Sequence, residues 1–254
     1  MKYSNETDLS NFKKINSLSW DELKDKILIR LVNGKTIDKY GKDIAHTKYL
    51  DLEITYTVQE VKNETVLSHM LTNQEIKEMG VSLDEVQLAA FHNTGSDRKR
   101  RIFTFKESVL KDNPMFPVMS MPKGYMGVGD PGQTPGYIED VDMESGQENV
   151  SVITNRLSAF GSSYMIIPSM LEEVYDRFNQ ENFYVLPISV HQVMCVRKGY
   201  ADHDGQKPLY EVEDDLLCMV EGINDNGNKD WKDILSYKIY YYLGDDGKRL
   251  FPIT

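Results

Sequence analysis

The chain has 254 residues, 40% of them apolar and 10% aromatic, and a net charge of −11. That length holds one large domain or two small ones, and that composition excludes a disordered chain. The charge disfavours nucleic-acid binding through phosphate contacts; it fits ordinary solubility, a basic partner, or mimicry of nucleic acid.

Residues 1–18 are polar and read as a loose segment. Ser19-Trp20-Asp21-Glu22 has the form of a capping box, and Trp20, Leu23, Ile27 and Leu31 follow at helical spacing, so an amphipathic helix is expected over Ser19–Val32. Thr36–Lys48 is polar, with room for a short helix. Leu50–Val58 alternates apolar and polar, which predicts a half-buried strand showing Asp51, Glu53, Thr55 and Thr57 to solvent. Lys62-Asn63 is the expected turn and Thr65–Leu71 the returning strand. Two short helices follow, opened at Thr72 and Ser82 and closed at Gly80 and Gly95. Arg98-Lys99-Arg100-Arg101 forms a basic knot before a short strand over Ile102–Phe105.

From Asn113 to Asn149 the composition shifts to Pro, Gly and Met, which suits a lid, an arm onto a partner, or a disordered insertion. Val150–Ile153 is β-rich and Asn155 is turn-like. Ala159–Ile167 is expected as a second strand ended by Pro168. Ser169–Glu172 repeats the capping-box form, and Leu171, Val174, Tyr175 and Phe178 mark the buried face of a helix. Phe183–Val196 reads as strand, bend at Pro187 and strand. A polar loop over Tyr200–Lys207 leads to a long amphipathic helix from Leu209. Tyr237–Leu243 and Lys248–Pro252 flank Gly244-Asp245-Asp246-Gly247, a hairpin signal.

The fold class is therefore α+β, a mixed, mostly antiparallel sheet with helices packed against it. The expected organisation is a loose segment 1–18, an N-terminal lobe 19–105, a connection 106–149 and a C-terminal lobe 150–254, the two lobes forming one compact domain.

Few residues suggest chemistry. Ser189 and His191 lie two apart, so on a strand they share a face and a hydroxyl can approach an imidazole. No Gly flanks Ser189 as in a nucleophile elbow, and the plainer reading makes both residues structural at the bend. Arg98, Lys99, Arg100 and Arg101 offer a site for phosphate or an acidic partner; a solvated loop is the plainer reading. Gly127–Gly132 matches G-x-G-x-x-G, but Pro131 interrupts it and no strand precedes it. His203 between Asp202 and Asp204 is at most a weak cation site. No metal motif occurs, and no metal or cofactor is expected. Cys195 and Cys218 both sit in apolar runs and read as buried thiols of a cytoplasmic protein. No leader peptide and no apolar run of about 18 residues occurs, so no membrane role is expected.

FGSSYMIIPSMLEEV at 160–174, followed by FYVLPISVHQVMCV at 183–196, resembles the hallmark of an uncharacterised bacterial family, domain of unknown function 5688. ILIRLVN at 27–33, HTKYLDLEITY at 46–56 and LSYKIYYY at 235–242 are similar to three further stretches of it. The departures are Pro187-Ile188-Ser189 for the family's Pro-Ser-Ser, Val190-His191-Gln192 for its Ile-His-Glu, Ala45 for a Pro, and a longer, less helical connection over 114–149. The resemblance implies an α+β domain of anaerobic gut-type bacteria, often carried on mobile elements, with no established activity to transfer.

The first functional expectation is a non-catalytic interaction or regulatory protein of the cytoplasm, with a protein partner. The alternatives are a hydrolase or small-ligand enzyme centred on Pro187–Gln192, and an acidic decoy of a nucleic-acid-binding protein. The oligomeric state stays open.

Overall fold

A computed structural model describes residues 19–41, 43–62, 65–96, 100–104, 147–155, 159–226, 233–245 and 247–253. The expectations for residues 1–18, Asn63, Arg98, Lys99, Gly127–Gly132 and most of the Pro/Gly/Met-rich connection lie outside them. The fold is α+β, and every ladder among the described residues is antiparallel. The chain divides into two units, Met1–Lys99 and Arg100–Thr254.

In the first unit, a short helix α1 (Trp20–Leu23) and a 3-10 turn (Lys24–Lys26) lead into strand β1 (Ile27–Asn33). The helix expected to run to Val32 thus stops at its first turn. Ile27, Ile29 and Leu31 also alternate, and β-branched residues favour the extended form when a partner strand is present. That partner is β3 (Leu52–Lys62), which pairs with β1 over 52–58. Helix α2 (Gly34–Tyr40) and strand β2 (His46–Tyr49) fill the region read as polar. Tyr49 pairs with Leu52, so Leu50 and Asp51 form a hairpin turn, with Leu50 at φ 56°, and are not the start of a strand. Strand β4 (Thr65–Met70) pairs with the far half of β3.

Over residues 54–58 the strand β3 is buried on both faces, contrary to the half-buried expectation. Leu52, Ile54, Tyr56 and Val58 face one way, while Thr55 and Thr57 on the other are 0% exposed. Their hydroxyls donate to the Arg30 and Leu28 carbonyls at 2.9 and 3.4 Å, which satisfies them without water. Helices α3 (Asn73–Glu78) and α4 (Leu83–Ser96) follow, with reciprocal caps at Thr72–Glu75 and Ser82–Glu85. Gly80 ends α3 at φ 72°; Gly95, expected to end α4, lies inside its last turn. The α4 helix shields the free edge of β1: Thr94 Oγ accepts the Ile29 N–H at 2.9 Å, and Asn93 donates to the Lys24 and Ile27 carbonyls.

In the second unit six strands run in the order β10-β9-β7-β8-β6-β5. They are β5 (Arg100–Thr104), β6 (Val150–Asn155), β7 (Phe183–Ser189), β8 (Gln192–Arg197), β9 (Ile239–Leu243) and β10 (Arg249–Ile253). The strand after the basic knot, placed by sequence in the N-terminal lobe, is the edge strand of this sheet. Strand β7 passes through Pro187, and its register with β8 shifts between Leu186 and Ser189, as a residue without an N–H requires.

Helices cover both sheet faces. Helix α5 (Pro168–Arg177) leads to Phe178, whose ring meets Phe183 edge-on at 5.5 Å. Tyr184, the next residue along β7, faces the opposite side. There it shares a core with Val212, Leu216, Met219 and Val220 of α7 (Leu209–Asn226). Part of the polar loop before α7 is a one-turn helix, α6 (Lys198–Ala201). The tyrosines of β9 divide as alternation dictates: Tyr240 and Tyr242 are buried and Tyr241 is half-buried against Tyr184.

Two expectations around α5 fail together. Ala159–Ile167 is a buried 3-10 segment (Gly161–Ile166), not a strand. Pro168 takes the first helical position and Ile167 the N-cap, so Ser169 falls inside the helix and cannot cap it.

Candidate functional site

The two-residue turn Val190-His191 joins β7 to β8 between Ser189 and Gln192, and it is buried: Ser189 is 4% exposed, Val190 1% and His191 2%. Turns normally sit in water because their polar groups need partners. This one finds them in protein. The Val190 N–H donates to the Asp233 carbonyl at 2.8 Å. The Val190 carbonyl accepts the Ser162 hydroxyl at 2.7 Å, and the His191 carbonyl accepts the Thr154 hydroxyl at 3.0 Å. Ser189 Oγ accepts the His191 N–H at 3.1 Å.

The imidazole is also engaged at both nitrogens. Its Nδ1 receives the Phe160 backbone N–H at 3.1 Å, and Nε2 lies 3.3 Å from Asp233 Oδ1. An N–H that points at Nδ1 requires a lone pair there. The neutral ring therefore carries its proton on Nε2 and donates it to Asp233. The Phe160 ring lies 5.3 Å from the imidazole.

The 3-10 segment makes this possible. Asn155 bonds both main-chain groups of Ala159, closing the loop that delivers Phe160 at φ 56°. Gly161 then presses onto the turn; a Cβ there would stand 2.6 Å from both the His191 carbonyl oxygen and Thr154 Cα. Only glycine fits.

General-base catalysis by His191 on Ser189 needs an imidazole lone pair aimed at the hydroxyl. Here the hydroxyl contacts main chain, and the lone pair of the Nε2–H tautomer belongs to Phe160. The structure does bring a carboxylate to the imidazole, the orienting half of a triad. Asp233 carried no signal in the sequence because it lies 42 positions from His191.

The basic knot is not gathered into one site among the described residues. Arg100 and Arg101 are half-buried neighbours on edge strand β5, so they point to opposite faces. Arg100 Nη1 reaches Ser169 Oγ at 3.4 Å, and Arg101 Nη1 reaches the Arg100 carbonyl at 2.5 Å. Of the acids beside His203, Asp202 is committed too: it accepts the Gly205 N–H at 2.9 Å and pairs with Lys198. No group of three or more His, Cys, Asp or Glu side chains poised to hold a metal ion occurs among the described residues.

A polar centre that the sequence reading missed lies at the far end of β8. Arg197, 8% exposed, donates Nε and Nη2 to Asn149 Oδ1 at 3.0 and 2.9 Å and Nη1 to Glu181 at 2.8 Å. Glu181 also accepts the Gly199 N–H. A charged residue closing the apolar run 193–196 was its only signal. Cys195 is buried, and burial pushes its thiol pKa up, away from reactivity. Cys218 is exposed on α7, not buried as expected; both thiols are unpaired. No described helix is long and apolar enough to cross a membrane.

No curated protein and no solved structure matches the chain. A family model does, over residues 1–243, so the similarity reaches from before α1 through β9. The chain belongs to the family of unknown function DUF5688.

Proposed function

We propose that this protein is non-catalytic and acts by binding or regulating another protein. One observation carries the reading: the Ser189 hydroxyl and both nitrogens of His191, the groups best suited to chemistry, are engaged within a buried turn. Support for a protein partner comes from the surface. Leu209, Tyr210 and Tyr237 are 56%, 65% and 42% exposed around α7, and large apolar side chains left in water are common at contact surfaces. The net charge of −11 favours a protein partner over direct nucleic-acid binding. Placement in a bacterial cytoplasm is supported by the two unpaired thiols and the family resemblance, and mobile-element encoding by the resemblance alone.

A hydrolase centred on Pro187–Gln192 is the second reading, favoured by Asp233 beside His191. The test is a screen of the purified protein and Ser189→Ala against ester, amide and phosphate model substrates, with thermal melting of both. The proposal expects no difference in turnover between them. Turnover abolished in a still-folded Ser189→Ala protein would establish the hydrolase instead.

A further inference from the structure

We draw no further inference here: the strongest candidate, the outward face of helix α7 with Glu211, Asp214, Glu221 and Asp225 between Tyr210 and Tyr237, is a row of surface carboxylates, and nothing in the structure shows what covers it.

Discussion

The backbone N–H of Phe160 donates to Nδ1 of His191 across 31 positions of sequence and 3.1 Å of space. This bond ties the 3-10 segment to the β7–β8 turn and fixes the imidazole tautomer. Replacing His191 by Leu removes the Nδ1 acceptor of the buried Phe160 N–H. A loss of about 1–3 kcal/mol is expected in chemical denaturation. Ser189→Ala removes the acceptor of the His191 N–H in the same way and should cost about 1 kcal/mol. Wild-type stability in both variants would mean that the turn is not the keystone described here.

Gly161→Ala tests the same junction sterically. The added methyl meets a carbonyl oxygen and a Cα, neither of which swings aside like a side-chain end. A cost of about 1–3 kcal/mol follows from overpacking. Gly222→Ala, whose Cβ meets nothing within 4 Å, is the control and should not destabilise a helix interior.

The opposite sign is expected at Tyr184. Its hydroxyl is buried with no hydrogen-bond partner among the described residues. Tyr184→Phe removes that desolvated group and keeps the ring packed against Tyr241 at 4.9 Å. The melting temperature should rise, by about 1 kcal/mol in stability. A fall would show that an ordered water satisfies the hydroxyl.

The sequence shows caps well and competing periodicities poorly. Thr72–Glu75 and Ser82–Glu85 are legible because a cap is a local device, complete within four residues. Ser169–Glu172 has the same letters and fails because Pro168 occupies the first helical position. Ile27–Leu31 satisfies helical and strand spacing at once, and only the distant β3 decides between them. The hairpin of β7 and β8 is legible from its apolar runs around Pro187. Asp233 and the 3-10 fold of Gly161–Ile166 are not, because they depend on contacts across 42 and 28 residues.

Acid should weaken the first unit through Glu75. Burial raises its pKa, but hydrogen bonds from His69 at 2.8 Å and from the Thr72 N–H and hydroxyl outweigh that, so the net shift is downward. A carboxyl depressed on folding contributes stability above its unfolded pKa, about 4.3, and that contribution is lost as pH falls through the folded value. Melting temperature should therefore drop below about pH 4, and Glu75→Gln should flatten that drop. An unchanged acid slope in the variant would assign the loss to other carboxyls.

Helix α7 carries Glu221 and Asp225 in its C-terminal turns, four residues apart, with no basic residue in its last turn. Both the like-charge spacing and the negative end of the helix dipole oppose them. Glu221→Gln with Asp225→Asn should raise the melting temperature slightly at low salt and not at high salt. Asp225 Oδ1 also accepts the Tyr237 hydroxyl at 3.3 Å, and a decrease at low salt would show that this bond outweighs the repulsion.

The most direct test of the central claim is the tautomer of His191, read by two-bond proton–nitrogen correlation of the imidazole at neutral pH. The account predicts a protonated Nε2 and an unprotonated Nδ1, its lone pair held by Phe160. A protonated Nδ1 would contradict it: Nε2 would then hold the lone pair, and the imidazole would regain its place as a candidate base.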